Sequence, residues 1–282
     1  MVKPHGAIPN GEFHREYNFA VIMTSRFCRW LVVPTLVVLA SCGGKGRDLV
    51  LLAEASIGDE HAQNRLGVMY YRGEGVRQDY AEAARWYRKA AAQGSVVAQV
   101  NLADLYRDGK GVRQDYAEAA RWYRKAAEQG DTHAQVSLAD LYRDGKGVPQ
   151  DYAEAVRWFS RPAEQGYAAS QFDLGVLYEK GQGVPQDYAQ AATWYRKASE
   201  QGNPLAHLNL GSLYAKGQGV PRDDTEAYFW SDLAAAGKLD APDAEAATKD
   251  RDLAASHLTP ADLSRVQERA RKWFEAHQSK PQ

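Results

Sequence analysis

The chain has 282 residues, and its charges nearly cancel, since 35 Lys and Arg residues face 36 Asp and Glu residues. Without an excess of positive charge, the composition does not indicate a nucleic-acid-binding protein. The two cysteines are Cys28 and Cys42, so the chain beyond residue 42 can form no internal disulfide. We therefore expect this part of the chain to be stabilised by packing alone.

The first apolar segment of the chain follows Met23. Two arginines precede a short apolar run at 31–39, which cannot cross a hydrocarbon core of ~30 Å. A basic segment followed by a short apolar one predicts a secretory signal peptide over 23–42. Residues 1–22 contain no comparable apolar run. We predict that they are an upstream extension and that translation starts at Met23.

The predicted signal ends in the sequence Leu-Ala-Ser-Cys, which resembles the lipobox of bacterial lipoproteins. The resemblance implies that Cys42 is lipidated and becomes the first residue of the mature protein, on a linker over 43–50. Two or more acyl chains give stable anchoring. No aspartate follows the cysteine directly, which favours the outer membrane, facing the periplasm, over the inner membrane. The alternative is an ordinary secretory signal that contains a cysteine by chance.

Tyrosine and tryptophan each recur at intervals of 36 residues along most of the chain. One register contains Tyr70, Tyr106, Tyr142, Tyr178 and Tyr214, and the other contains Trp86, Trp122, Trp158, Trp194 and Trp230. A fixed period of this length predicts a solenoid, in which each repeat buries its apolar face against its neighbours. The aromatic residues share their faces with Leu and Ala, which favours core packing over a ligand-stacking surface.

Each repeat predicts two helices joined by a turn. In the clearest copy, apolar residues from Ala98 to Tyr106 are spaced as on one helical face, and Gly109 ends this helix. Asp115 and Glu118 then form a capping-box pattern that begins a second helix. The aspartate recurs in all five repeats. Each repeat is therefore predicted to be an antiparallel helix pair.

Two local features lead to further predictions. The first helices are predicted to be capped by Asp59, Ser95, Asp131 and Asn203, whose side chains can accept from free amides. Pro162 lies within the second helix of the third repeat, and we expect that helix to kink or fray from about Trp158.

The repeated pattern L-G-x-x-Y…G-x-G-V-x-x-D-Y-x-x-A-x-x-W-Y-x-x-A-A-x-Q-G resembles the Sel-one-like repeat family, relatives of the tetratricopeptide solenoids. The resemblance implies an all-α, right-handed α-solenoid that acts as a scaffold for protein partners. The predicted repeats cover 62–97, 98–133, 134–169, 170–205 and 206–237, after a leading half-repeat at 51–61.

The segment 238–282 departs from the pattern and is predicted to cap the solenoid. We expect one helix over 243–256 and a final helix that begins at Thr259 and reaches about Ala276. The apolar residues predicted to face inward are Leu253, Leu258, Leu263, Val266, Ala270, Trp273 and Phe274.

Sequence motifs of common enzymes are absent from the chain, which contains no G-x-S-x-G, H-E-x-x-H or phosphate-binding G-x-x-x-x-G-K-[ST]. No Cys, His or Asp residues have metal-ligand spacing. We therefore predict no enzyme activity, cofactor or metal. One alternative is a β-lactamase or penicillin-binding hydrolase, as described for cysteine-rich relatives, although this chain lacks their cysteine pairs and any S-x-x-K. The other is a structural protein associated with peptidoglycan.

The first helices carry a polar face opposite their packing stripe. In tetratricopeptide-like solenoids these helices line the concave groove, so this face is the predicted site for a protein or peptide partner. The candidate residues are Asn101, Asp104, Arg107, Asp108, Asp140, Arg143, Asp144, Asp173 and Lys180. The aspartates favour a basic segment of the partner. The alternative is an ordinary solvated helix face. Nucleic acid is not a predicted partner. The chain is predicted to contact a membrane only through the lipid anchor.

Overall fold

The computed structural model describes residues 46–278, which form thirteen α-helices and no strand. The predicted extension, signal peptide and lipidation site at Cys42 lie outside the described residues. The fold is an all-α solenoid in which consecutive helices pack on one another. The prediction of an all-α solenoid is confirmed.

The helices are arranged as one leading helix, five pairs and two final helices. The bounds are α1 Gly46–Ser56; α2 Glu60–Arg72 and α3 Tyr80–Ala92; α4 Val96–Asp108 and α5 Tyr116–Glu128; α6 Thr132–Asp144 and α7 Tyr152–Glu164; α8 Ala168–Lys180 and α9 Tyr188–Ser199; α10 Pro204–Lys216 and α11 Asp224–Ala235; α12 Ala241–Ser256 and α13 Pro260–Gln278. At the end of the solenoid, α12 packs on α10 and α11, and α13 packs on α11.

The core follows one position of the second helices. Tyr87, Tyr123, Phe159 and Tyr195 recur there, and each is at most 2% exposed. Alanines on the same helices are buried beside them, which allows neighbouring helices to approach closely. Trp86, Trp122 and Trp230 are also buried, and Trp158, Trp194 and Trp273 are half-buried. The tryptophan register thus contributes to the core, whereas the tyrosines of the other register, from Tyr70 to Tyr214, are half-buried and pack against it.

Each second helix begins at an aspartate that accepts from two free backbone amides. Asp115 Oδ1 accepts from the amides of Ala117 and Glu118, both at 3.0 Å. The reciprocal half of the predicted capping box is wrong, because the amide of Asp115 donates to the Tyr106 carbonyl at 2.9 Å. The Glu118 carboxylate instead pairs with Arg121. All five repeats have this aspartate-to-tyrosine backbone bond, which fixes the second helix to the end of the first.

The second glycine of each turn places one repeat on the preceding one. At Gly147, φ is +71°, and a Cβ atom there would lie 2.2 Å from the carbonyl carbon of Tyr116, at the start of α5. Gly111, Gly183 and Gly219 meet the preceding second helix in the same way. Glycine is therefore required at this position both by the left-handed backbone and by the close approach.

The caps of the first helices are confirmed in part. Asp59, Asp131 and Asn203 each accept from a backbone amide three residues ahead. The Ser95 side chain makes no such bond, so its predicted cap is wrong.

Two further predictions are corrected by the described residues. The helix α7 ends at Glu164 and has 13 residues, as α3 and α5 do, so it does not fray at Pro162. Pro162 lies in the last turn, where a proline removes only one intrahelical bond near the free end. Leu253 is 55% exposed and does not face inward, because α12 packs through the small residues Ala247 and Ala254.

The rest of the predicted cap is confirmed. Val266 and Ala270 of α13 are buried in one cluster with residues of α10 and α11. The half-buried residues packed against this cluster include Leu258, Leu263, Trp273 and Phe274. Thr259 accepts from the amide of Asp262 and so caps α13 at its predicted start.

The close approach at Gly147 can be tested by comparing Gly147→Ala with Gly166→Ala. Both glycines have a positive φ, but a Cβ at Gly166 would meet no atom within 4 Å. Both variants carry the backbone strain of about 1–2 kcal/mol. Gly147→Ala should lower the free energy of unfolding by a further ~1–3 kcal/mol through overpacking. Urea unfolding followed by circular dichroism measures both, and equal losses would contradict the proposed contact.

Candidate functional site

The predicted partner-binding residues lie on three neighbouring first helices, α4, α6 and α8, which ion pairs connect across the repeats. His133 Nε2 of α6 is 3.4 Å from Asp104 Oδ1 of α4. Arg143 Nη1 of α6 is 3.0 Å from Asp173 Oδ1 of α8. We call this surface the charged face, and it comprises the nine predicted residues together with His133 and Glu179. Asn101 is half-buried on α4, and Lys180 is exposed at the end of α8.

Asp104 is surrounded by donors in the second repeat. The Tyr123 hydroxyl donates to Asp104 Oδ1 at 2.5 Å, and Arg107 Nη1 lies 3.1 Å from the same oxygen. Burial raises the pKa of Asp104, but the bonds from His133 and Tyr123 and the charge of Arg107 outweigh it, so the pKa lies below its usual value. The bond to Asp104 raises the pKa of His133 in turn. This carboxylate is therefore well satisfied without a partner protein.

Asp140 holds the equivalent position in the third repeat but has a different environment. The segments 98–108 and 134–144 differ at one residue, yet Phe159 stands where Tyr123 does and Ala169 where His133 does. Neither can donate a hydrogen bond from its side chain. Burial therefore raises the pKa of Asp140, although Arg143 opposes this shift. Two nearly identical helices thus carry carboxylates with opposite pKa shifts.

Arg143 is shared by three carboxylates. Its guanidinium lies 2.8 Å from Asp140, 3.0 Å from Asp144 and 3.0 Å from Asp173. Burial raises the pKa of Asp173 to about 6, because the attraction of Arg143 is insufficient and the charge of Asp140 adds to the shift. Lys146 pairs with Asp144 at 3.0 Å. The pair Asp140 and Asp173 is therefore the least neutralised part of the charged face.

Sequence reasoning missed two groups that shape this surface. The ring of Tyr123 is fully buried, as a core residue should be, but its hydroxyl reaches Asp104. The Tyr195 hydroxyl donates to Glu179 in the same manner. Burial raises the pKa of both tyrosines well above the usual value. The change from tyrosine to phenylalanine at position 159 is the signal in the sequence that could have revealed this role.

Several apolar residues of these first helices contribute little to their accessible surface. Val100, Val136, Phe172 and Val176 are half-buried and pack against the core clusters. Ser137, at the position equivalent to Asn101, is buried at 9% exposure. The accessible surface of these helices is therefore largely made by their charged residues.

The part of the chain that the structure describes lacks the features of a membrane span and of a metal site. Between residues 46 and 278, no helix is both long and apolar enough to span a bilayer. In the same part of the chain, no three His, Cys, Asp or Glu side chains come together as metal ligands would.

The fold and this surface define a class of protein, the solenoids built from helix-pair repeats. Six segments match the family model of the Sel1 repeat, at 60–95, 96–131, 132–167, 168–203, 204–238 and 251–276. The chain belongs to the Sel1 repeat family. The sixth match falls in the segment that we predicted as a cap. A search of curated proteins found no match.

Two solved structures share the fold at substantial sequence identity. One is c5321, a protective antigen present in uropathogenic Escherichia coli strains, with 38% identity, a TM-score of 0.61 and 70% of this chain covered. This chain spans 46% of the length of that protein. The other is a Sel1 repeat protein from Oxalobacter formigenes, with 33% identity, a TM-score of 0.64, and 74% of this chain and 86% of that chain covered.

The environment of Asp173 predicts a pH-dependent stability that Asp173→Asn removes. Because the folded chain raises this pKa from 3.8 to about 6, the folded state binds the proton more tightly than the unfolded state. Protonation of Asp173 therefore stabilises the folded state, and this stability is gained as the pH falls through 6. Between pH 7.5 and 4.5 the wild type should gain ~1–3 kcal/mol in free energy of unfolding relative to Asp173→Asn.

The matched control for this measurement is Asp108→Asn on the same surface. Hydrogen bonds from Arg107 and Lys110 outweigh burial and lower the pKa of Asp108, so its titration lies below this pH window. The stability of the wild type relative to Asp108→Asn should therefore change little between pH 7.5 and 4.5. If the free energy of unfolding of the wild type relative to Asp173→Asn is equally independent of pH, the description of the Asp173 site is contradicted.

Proposed function

We propose that this chain is a non-catalytic scaffold that binds a protein or peptide partner on the charged face. We further propose that Cys42 anchors it by lipid in the bacterial cell envelope, at the outer membrane facing the periplasm. Sel1 repeat proteins are generally protein-interaction scaffolds, which supports the first part. The lipobox sequence supports the second.

The observation that carries the proposal is the unbalanced charge around Arg143. The raised pKa values of Asp140 and Asp173 mean that the fold tolerates their charges less well than water does. Ionisable residues with raised pKa values of this kind are candidates for function. A lysine or arginine of a partner would supply the missing positive charge. Charge complementarity thus favours a basic segment of the partner, seated between α6 and α8.

One packing position holds the same residue from repeat to repeat, whereas a position of the charged face varies. Leu102, Leu138, Leu174 and Leu210 occupy one buried position in four successive repeats. By contrast, the surface position that Asp104 holds is occupied by different residue types in the same four repeats, namely Asp104, Asp140, Val176 and Ser212. A uniform scaffold that presents different side chains along its length is suited to recognising one extended partner.

Charge reversal at Asp140 tests the partner-binding proposal. A photo-crosslinking amino acid at position 180 would report the partner in cells of the native host. Asp140→Lys should reduce the crosslinked product by about tenfold or more, because truncating or reversing a buried interfacial charge typically removes 2–5 kcal/mol of affinity. The control is Glu128→Lys, an exposed residue of α5 outside the charged face. An unchanged crosslinking pattern in a normally folded Asp140→Lys protein would overturn the proposal.

Lipidation is tested independently of the partner. Cells labelled with palmitate should incorporate the label into the wild type and into Cys28→Ala, but not into Cys42→Ala. Only Cys42 stands at the lipobox position, so the two cysteine variants form a matched pair. Label in Cys42→Ala, or its absence from the wild type, would contradict the anchor.

The two alternative functions have separate tests. Turnover of a chromogenic β-lactam by the purified chain, abolished by a point mutation, would favour a hydrolase over a scaffold. Retention on purified peptidoglycan would favour the structural role.

A further inference from the structure

His207 replaces a glutamine that occurs in the first helices of the four preceding repeats. Each of those glutamines is buried, and its side-chain amide donates to the backbone carbonyl eight residues before it. His207 makes the same bond, since its Nε2 lies 2.9 Å from the Ser199 carbonyl. The last full repeat has therefore kept the hydrogen bond and exchanged an amide that does not titrate for an imidazole that does.

The imidazole of His207 is enclosed by aromatic rings of the following helices. It is 2% exposed and stacks on Trp230 of α11, with 5.6 Å between the ring centroids. The ring of Trp273 of α13 is nearly perpendicular to the imidazole, with 5.2 Å between the ring centroids. The same tryptophan also reaches the turn before α10, near Gly202. The final helix is thus docked on the solenoid through a ring that touches His207.

A proton on the second nitrogen of His207 would have no acceptor. The bond to the Ser199 carbonyl requires a hydrogen on Nε2, so Nδ1 of the neutral ring carries the lone pair. Nδ1 is buried and has no hydrogen-bond partner among the described residues. Protonation would therefore bury a positive charge with an unsatisfied donor, which is strongly unfavourable.

The charged groups around His207 do not offset such a charge. The helix α13 contributes His277, whose ring stacks on Trp273 at 3.8 Å and whose positive charge would repel that of His207. The helix α11 contributes Glu226, which accepts from Trp230 Nε1 and is also paired with Arg269 of α13. The contribution of α9 is the neutral Ser199 carbonyl. No free carboxylate therefore compensates a proton on His207 among these contacts.

We propose that His207 is an acid-sensitive latch, which holds α13 on the end of the solenoid when neutral and releases it when protonated. Burial lowers the pKa of His207 to about 4, with the Ser199 bond opposing this shift and His277 adding to it. Because the folded-state value lies below the usual 6.5, the stabilisation is complete above pH 6.5. It is lost as the pH falls from about 6.5 to about 4. Release of α13 breaks the contacts that Gln267 makes with the Tyr228 hydroxyl and that Arg269 makes with the ring of the buried Phe229 of α11.

Hydrogen–deuterium exchange of the full chain at pH 7.5 and pH 4.5, corrected for intrinsic exchange rates, tests the latch. In the wild type, protection of peptides covering α13 should fall about tenfold or more relative to peptides of α5. In His207→Gln, which restores the residue of the other repeats, the two regions should change in parallel. The proposal would be overturned if protection of α13 did not fall between pH 7.5 and pH 4.5 in the wild type, or if the same fall occurred in His207→Gln.

Two further variants separate His207 from other effects of acid. His277→Gln should retain most of the fall, because His207 still titrates, and loss of the whole effect in this variant would assign the latch to His277 instead. His207→Phe keeps an aromatic ring against Trp230 but cannot take up a proton. It should be as insensitive to pH as His207→Gln, and a persistent fall in both variants would contradict the role of His207.

Discussion

The close seating of each turn on the preceding second helix is the contact on which the rest of the structure depends. Gly147 lies against the first residues of α5, where a single methyl group would meet the backbone of Tyr116. The bond from the Asp151 amide to the Tyr142 carbonyl fixes the same turn to its own repeat. Because both contacts recur along the chain, every repeat is placed on its neighbour in the same way, and one continuous core results.

This uniform core leaves the surface of the first helices free to differ between repeats. Asp104 and Asp140 lie on almost identical helices, but Tyr123 and His133 satisfy the first carboxylate while Phe159 and Ala169 leave the second to Arg143 alone. The difference arises from residues on other helices, one of them in the core. In this solenoid, a difference in the core can therefore shift the pKa of a surface carboxylate while the repeat keeps its fold.

Much of the fold could be predicted from the sequence, because period, glycines and aspartate caps each have local physical causes. The errors concern features that depend on neighbouring helices. Glu118 does not complete a capping box because the Tyr106 carbonyl takes the Asp115 amide, and Leu253 is exposed because α12 packs through alanines. The Tyr123 hydroxyl was missed because a buried ring gives no sign in sequence of where its polar end lies. The positions of the charged residues were predictable, but their pairing was not.

Removal of one whole repeat tests the account most directly. Deleting 132–167, one matched 36-residue unit, joins Asp131 to Ala168 and should allow α8 to stack where α6 did. The shortened chain should remain helical and unfold cooperatively. Its free energy of unfolding and its urea dependence should both be lower, since less surface is buried. A chain that loses its helical structure, or one with unchanged stability and urea dependence, would contradict a core shared between successive repeats.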